Sequence, residues 1–346
     1  MMLTNRQLLI LQVTVDDFIQ SAQPVGSRQL SKKEEVPFSP ATIRNEMADL
    51  EELGFLEKTH TSSGRIPSQK GYRYYVDHFL SPTSVPKSDI QQIQSIFEER
   101  LLEAEHIIQR TALILSELTS YTTILLGPDM KKYRVKKFSI VPLSGQSAVA
   151  IIILDTGHVE NRLVEIPQGI DASDLEKMVN ILNEQLTGVH LHELQHVLER
   201  EALSLMKKHI GRYAELYQSL STTLVSPNEE KVYYGGKTNL LQYPEFHDLQ
   251  KATGLFTFMD QLPQITSMFS DTEKGMQIRI GTENNLQGME DISVVSAKYS
   301  IGEEQQGTIA IIGPTRMDYK RAVSILDFMS GDLSRELTKL FKGLNG

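Results

Sequence analysis

The stretch that decides the fold runs from Ser39 to Ser68 and reads SPATIRNEMADLEELGFLEKTHTSSGRIPS. Ser39 is a favourable helix N-cap, and Pro40 suits the first helical position, where a missing N–H costs nothing. The apolar residues that follow lie three or four positions apart and therefore share one helix face: Ile43, Met47, Leu50 and Leu53. Gly54 supplies the left-handed residue that ends many helices. The stretch therefore predicts a helix from Ser39 to Gly54.

The segments on either side of this helix predict two further helices before it and a hairpin after it. An amphipathic pattern over Thr4–Ser21 predicts a first helix, and Ser27–Lys33 predicts a short second one. Downstream, Phe55–Lys58 is strand-like, Thr59–Gly64 is a polar loop, and Arg65–Pro67 is a returning strand. Helix, short helix, turn, helix and basic hairpin is the order of a winged helix-turn-helix, which we predict for residues 1–80.

A recognition helix presents its N-terminal residues to the major groove, which singles out particular side chains here. Arg44 and Asn45 are the candidates for base contacts, because arginine can pair bidentately with guanine and asparagine with adenine. The other candidates for DNA contacts suit phosphates or the minor groove: Ser39, Thr42, Lys58, His60, Arg65, Lys70 and Arg73. A solvated surface helix followed by an ordinary hairpin is the alternative interpretation.

Composition limits the class of protein. The chain has 346 residues, which predicts two or three domains, and its net charge is −9, which argues against a general nucleic-acid coating protein. Residues 1–80 carry nine basic and ten acidic side chains, so DNA binding would depend on a local patch and few phosphates. No cysteine, no membrane-length apolar run and no signal-peptide pattern are present, so we expect a cytoplasmic protein.

The remaining sequence predicts an α+β arrangement. A linker at 81–88 precedes a helical stretch over 89–120, and strand-like segments then run from Thr122 to Ile166 and from Met276 to Ile312. Ala148–Asp155 is apolar on both faces, which favours a central strand. We expect an antiparallel sheet flanked by helices on one side, built from 89–186 and 246–346 around an insertion at 187–245.

The insertion contains a helical pattern over about 191–224 with a continuous apolar seam. Its members alternate three and four positions apart: Leu203, Met206, Ile210, Tyr213, Tyr217, Leu220 and Leu224. Such a seam packs either on its own domain or on the same seam of a second chain. The need of an operator-binding protein for two half-sites favours dimerisation.

Two short motifs suggest other chemistry. His192–His196 reads HELQH, which matches the HExxH pattern of zinc peptidases, but Glu199 stands where the extended pattern needs glycine. Gly235–Thr238 resembles the end of a phosphate-binding loop, but Lys231 replaces its first glycine. We therefore predict no catalytic residues, no metal and no cofactor. A zinc-dependent hydrolase with a DNA-binding domain remains the alternative.

Three separated segments resemble one known family. They are the run from Ser39 through GYRYYVDHF, the segment GGKTNLLQYPEF (235–246) and the segment GTIAIIGPTRMDY (307–319), and they are similar to the HrcA family of heat-inducible transcription repressors. The resemblance implies a winged helix followed by a GAF-like domain with an inserted dimerising segment. It implies a homodimer that binds double-stranded DNA at an inverted-repeat operator, CIRCE, ahead of chaperone operons. It also implies that the chaperonin GroEL maintains activity. A GAF-like domain that senses a metabolite is a further alternative.

Overall fold

The structure is a computed structural model, and it separates the chain into two compact units. It describes residues 3–59, 64–81, 83–97, 104–127, 133–144, 146–155, 159–202, 231–270, 275–285, 290–302 and 305–344, with 204, 207, 214–215, 217–218 and 288. The first unit comprises Met1–Leu126, Val232–Tyr299 and Thr308–Leu333. The second comprises Gly127–Lys231, Ser300–Gly307 and Ser334–Gly346.

Helices and antiparallel strands alternate along the chain. The helices are α1 (Asn5–Ser21), α2 (Ser27–Leu30), α3 (Pro40–Glu52), α4 (Gln69–Phe79), α5 (Lys87–Gln94), α6 (Ala104–Thr119), α7 (Ala172–Leu186), α8 (Leu194–Val197), α9 (Leu249–Met259), α10 (Leu262–Ser270) and α11 (Tyr319–Leu344). The strands are β1 (Leu56–Lys58), β2 (Arg65–Pro67), β3 (Thr122–Leu126), β4 (Val135–Ser144), β5 (Ser147–Leu154), β6 (Val159–Glu165), β7 (Val232–Gly235), β8 (Met276–Ile280), β9 (Ile292–Ile301) and β10 (Gln305–Pro314). The predicted α+β class is confirmed.

The N-terminal part of the first unit contains the predicted helices and hairpin. Thr4 and Gln7 form a capping box at the start of α1, with each side chain bonded to the other's backbone N–H. The apolar sides of α1, α2 and α3 meet in one core whose members are fully buried: Ile10, Leu11, Val15, Leu30, Ile43 and Leu50. This shared core fixes the position of α3, the helix on which the predicted site depends.

The predicted linker is tied to the first unit. The backbone N–H of Thr83 donates to Ser324 Oγ on α11 at 2.9 Å. Shortly after it, Asp89 on α5 accepts from Arg321 at 3.0 Å. The predicted helix over 89–120 is interrupted, because α5 ends at Gln94 and a 3-10 turn follows at Ser95–Phe97.

The five-stranded sheet of the first unit has the order β7-β3-β10-β9-β8. Ile124, Val294 and Ala310 lie in one apolar cluster with side chains of α9 and α10. On the opposite face, Thr123 donates to the Ala112 carbonyl of α6 at 2.6 Å. There too, Ser293 bonds Tyr319 of α11 at 2.7 Å. Helices therefore cover both faces, and the expectation of helices on one side was wrong.

The second unit has its own three-stranded sheet, in the order β4-β5-β6. Strand β5 is central, as predicted, but alternate residues along it are buried, so only one face is covered. That face packs against α7, whose Asn183 amide accepts from the Phe138 N–H and donates to the Phe138 carbonyl, at 2.7 and 2.8 Å. The expected boundaries, an insertion at 187–245 within 89–186 and 246–346, differ from this division, which places the break at Gly127.

Candidate nucleic-acid interface

Helix α3 is defined at both ends by the residues that predicted it. Ser39 Oγ accepts from the Thr42 N–H at 3.1 Å, and the two hydroxyl oxygens lie 2.9 Å apart. Pro40 occupies the first turn, and Gly54 after the helix has a φ of +79°. Pro40 has no N–H and the Thr42 N–H is capped, so this geometry leaves the Ala41 N–H without an intrahelical partner, at the positive end of the helix dipole. An anion such as a phosphate is stabilised at such an end.

The outward face of α3 begins with two alanines and two polar side chains. Ala41, Arg44, Asn45 and Ala48 are exposed, while Ile43 points into the core. Among the described residues, neither Arg44 nor Asn45 has a hydrogen-bond or ion-pair partner. Small alanines allow the helix to approach a groove closely, and a free guanidinium and amide can bond to base edges.

Two of the four acids of α3 are paired within the molecule, and the other two, Asp49 and Glu52, are exposed in its C-terminal half. No acid occurs between Ser39 and Asn45. Further along, Glu46 pairs with Arg6 at 3.1 Å, and Glu51 pairs with Arg65 at 2.6 Å. These pairs neutralise two of the four carboxylates of the helix and so reduce its repulsion of phosphates. The unpaired positive charge is therefore concentrated at the N-terminal half of the helix.

The hairpin after α3 is held by an isolated β-bridge to Val25. Lys58 of β1 lies opposite Arg65 of β2, and the Arg65 backbone in turn exchanges two hydrogen bonds with Val25, at 2.8 and 2.9 Å. Gly64 is required here, because a Cβ atom on it would lie 2.8 Å from Pro24 Cβ. Lys58 is exposed and has no partner in the part of the chain that the structure describes. His60 lies outside that part.

Three of the predicted phosphate contacts have partners within the molecule. Arg65 is half-buried and donates to Glu51 through Nε and an η nitrogen. Lys70 Nζ donates to the Leu53 carbonyl at 2.7 Å and lies 4.4 Å from the centre of the Phe55 ring. Arg73 donates to Glu283 and to the Ile278 carbonyl, and the bond to Glu283 raises the pKa of Arg73. Of the predicted cations, Arg44 and Lys58 are the two without a partner among the described residues.

Two further cations on the adjoining helix were missed by sequence reasoning. Arg28 on α2 and Lys32 in the turn after it are exposed, and neither has a side-chain partner among the residues described. The helix before a recognition helix crosses the DNA backbone, so these positions suit phosphates. Their place in the helix-turn-helix order, just before α3, is the feature of the sequence that indicates this role.

The second unit contains the one predicted seam residue that is described. Tyr217 is half-buried and packs against the core beneath the three-stranded sheet, and burial raises its pKa. The other six seam positions lie outside the described residues. Over 191–202 the predicted helical stretch consists of a 3-10 turn, α8 and a π-helical turn.

Both short motifs lie in other structural contexts than their patterns require. The HELQH segment spans the junction between a 3-10 turn and α8, and the His192 ring lies 5.4 Å from that of His190. Across the described part of the chain, no group of three or more His, Asp or Glu residues is placed to hold a metal. In the other motif, a Cβ atom on Gly235 would lie 2.0 Å from the Ala112 carbonyl oxygen, so close packing requires this glycine.

Comparison with known proteins identifies the family. A family model described as the HrcA protein C-terminal domain matches residues 105–323. The heat-inducible transcription repressor HrcA of Lysinibacillus sphaericus is 60% identical over 339 residues, which cover 98% of this chain and 99% of that protein. The chain belongs to the HrcA family. HrcA proteins are transcription repressors and not enzymes.

A solved structure supports the same fold. A crystal structure of a protein described only as hypothetical matches 98% of this chain and 99% of its own, with a TM-score of 0.69 and 24% identity. Similarity at this level shows that the two share a fold. Among the described residues, no helix is long and apolar enough to cross a membrane.

Proposed function

We propose that this protein represses transcription by binding as a homodimer to an inverted-repeat DNA operator, CIRCE in the HrcA family. Each subunit places α3 in the major groove of one half-site, with Arg44 and Asn45 at base edges. The hydroxyls of Ser39 and Thr42 and the cations Lys58, Arg28 and Lys32 contact phosphates. Bound repressor occupies DNA that polymerase needs, so transcription of the chaperone operon stops.

One observation carries this proposal. The exposed N-terminal half of α3 presents an unpartnered arginine and asparagine beside small alanines, while Glu46 and Glu51 further along are neutralised by Arg6 and Arg65. Such a surface fits the edge of a base pair and the phosphates beside it. The helix-turn-helix order and the hairpin after it fit a winged helix, in which the hairpin lies on the adjacent backbone.

The second unit supports dimerisation. The face of its three-stranded sheet away from α7 is apolar and open, with Leu143, Leu163, Val141 and Val159 exposed to between 44 and 67%. Exposed apolar patches of this kind mark association sites. We propose that two copies associate through this unit, with the seam over 203–224 as a further part of the contact.

Leu163→Asp tests the dimer by sedimentation or light scattering. A charge in a buried apolar interface is unpaired, so we expect the variant to be monomeric and to lose affinity for the full inverted repeat. Leu249→Asp is the matched control, since Leu249 is 81% exposed and belongs to the first unit. A Leu163→Asp protein that remains dimeric would exclude this face as the interface.

The test of DNA recognition is fluorescence anisotropy on the inverted repeat and on a scrambled duplex across a range of salt. We expect Arg44→Ala to remove ~1–3 kcal/mol of the preference for the repeat per half-site. Glu57→Ala, a change in an exposed side chain of the hairpin, serves as a control with preserved discrimination. Equal weak binding to both duplexes by the unmodified protein, with GroEL present, would exclude the proposed function.

Control by the chaperonin is proposed from family membership. In the cytoplasm, GroEL that is occupied by unfolded proteins during heat stress would leave less active repressor. The chaperone operon would then be transcribed. Purified protein should therefore show more operator binding after incubation with GroEL and ATP than after ATP alone. Unchanged solubility and operator occupancy would argue against this part of the proposal.

A further inference from the structure

Helix α4 connects α3 to the five-stranded sheet through two different faces. On one face its N-terminus contacts the end of α3, where Ser68 Oγ donates to the Gly54 carbonyl at 2.6 Å. Gly71 allows this approach, because a Cβ atom there would lie 2.2 Å from the Phe55 carbonyl oxygen. Lys70 bonds the Leu53 carbonyl, as described above. These contacts join the start of α4 to the end of α3.

The opposite face of α4 contacts the turn between β8 and β9. Gln69 Oε1 accepts from the N–H and the hydroxyl of Thr282, at 3.1 and 2.9 Å. Its Nε2 donates to the Glu290 carbonyl at 3.0 Å. The backbone approaches closely at Gly281, which has a φ of +54° and where a Cβ atom would lie 2.3 Å from the Gln69 amide.

One turn along α4, Arg73 continues the same contact. Its Nε donates to Glu283 Oε1 at 2.9 Å, a second nitrogen contacts the other oxygen of that carboxylate, and the Ile278 carbonyl accepts at 2.7 Å. A bidentate arginine and carboxylate fix both distance and orientation. Between these polar contacts, Tyr72 is buried against Tyr319, with ring centres 6.2 Å apart.

A second connection starts from α1. Asp16 accepts from the Tyr75 hydroxyl of α4 at 2.5 Å and pairs with Lys320 of α11 at 3.2 Å. Helices α1 and α4 are therefore both attached to the sheet region. The segment formed by α1–α4 and the β1–β2 hairpin is therefore attached at two places, through α4 and through α1. Each attachment prevents rotation of the segment about the other.

We infer that the contacts of α1 and α4 fix the direction of α3 relative to the sheet and thereby set the half-site spacing that a dimer accepts. The positioning residues are Gln69, Arg73, Glu283 and the Asp16–Lys320 pair. In an operator of two half-sites, the separation and mutual rotation of the recognition helices determine which spacing fits. This inference rests on the proposed function. It gives Arg73 a role in geometry in place of the predicted phosphate contact.

The test measures affinity for a series of inverted repeats whose half-sites are separated by the family's spacing and by one to five base pairs more or fewer. We expect the unmodified protein to prefer one spacing by about tenfold or more. In Arg73→Glu, with and without Gln69→Ala, the preference should fall to about threefold or less. Binding to a duplex with a single half-site should stay within about twofold, because α3 itself is unchanged.

Two controls separate positioning from loss of structure. Lys251→Ala removes an ion pair with Asp291 within the sheet region alone, and it should leave the spacing profile unchanged. Arg73→Glu combined with Glu283→Arg reverses the pair and should restore the sharp preference. A spacing profile in Arg73→Glu as sharp as in the unmodified protein would overturn the inference, as would an equal loss on the single half-site. An unmodified protein that prefers no inverted repeat at any spacing would instead exclude the proposed function.

Discussion

Lys58 and Lys70 lie in different environments, so we expect Lys58→Ala to change the salt dependence of DNA binding and Lys70→Met to change the stability of the fold. Lys58 is exposed without a described partner, so we expect it to contact a phosphate and to release counterions on binding. Each such contact contributes ~0.9 to the slope of log affinity against log salt. Lys58→Ala should therefore lower the slope by about 1.8 per dimer, since each subunit contributes one contact.

This slope has a direct consequence for measured affinities. Between about 50 and 200 mM salt, a slope difference of about 1.8 corresponds to about a tenfold change. Lys58→Ala should therefore weaken binding strongly at low salt, and its deficit relative to the unmodified protein should shrink about tenfold at the higher concentration. Anisotropy titrations at four or five salt concentrations measure this slope.

Lys70 should contribute to the stability of the fold and not to the salt dependence of DNA binding. Its ammonium group bonds the Leu53 carbonyl at 2.7 Å and lies 4.4 Å from the Phe55 ring centre. A bond from a charged donor and a cation–π contact at an exposed site together contribute about 1 kcal/mol. Lys70→Met should lower the free energy of unfolding by about that amount in urea and leave the salt slope unchanged. A fall in slope as large as that of Lys58→Ala would refute this assignment.

Three other predictions concern the stability of the helices that hold α3. Gly71→Ala should destabilise the protein by about 1–3 kcal/mol or more in urea, because its Cβ would overlap the Phe55 carbonyl oxygen, whereas Gly254→Ala meets no neighbour within 4 Å and should not. Ser39→Ala should cost about 1 kcal/mol by loss of the N-cap, and an unchanged urea midpoint would contradict this. Burial, and then the bond to Asp16, raise the pKa of Tyr75, so the folded state retains its proton as pH rises above about 10, where an unfolded tyrosine ionises. The contribution of Tyr75 to stability should therefore be constant below that pH and fall above it, with a shallower alkaline decline in Tyr75→Phe.

Local features of the fold were predictable because neighbouring residues determine them. Helix α3 begins at Pro40 after the Ser39 cap, and α7 begins at Ala172 after Asp171, whose side chain accepts from the Asp174 N–H at 2.8 Å. Strand β3 begins at Thr122, where the predicted strand-like segments begin. The signal is local in each case, because a capping residue precedes each helix and a run of β-branched and apolar residues forms the strand.

The pairing of strands could not be predicted in the same way. A period of two identifies a strand but not its neighbours, so β4–β6 were placed in the same sheet as β3 and β10. The short strand β7 (Val232–Gly235) was missed, because four residues carry little periodic signal. It joins the sheet edge by pairing with β3, more than a hundred positions earlier in the chain. Such non-local contacts depend on packing that a single sequence does not reveal.

The candidate site shows the same limit for charged side chains. A count of cations predicted Lys70 and Arg73 as DNA contacts, but a sequence cannot say which acid or carbonyl each cation meets. The segment GYRYYVDHF contains Gly71, Arg73 and Tyr75, which carry part of the resemblance to the HrcA family. Gly71 contacts the end of α3, Arg73 contacts the sheet region, and Tyr75 contacts Asp16 of α1, so none lies on the exposed face of α3. A sequence signature next to a candidate recognition helix can therefore indicate how that helix is held. This distinction is measurable, because loss of a phosphate contact changes the salt slope, whereas loss of a positioning contact changes the preferred spacing.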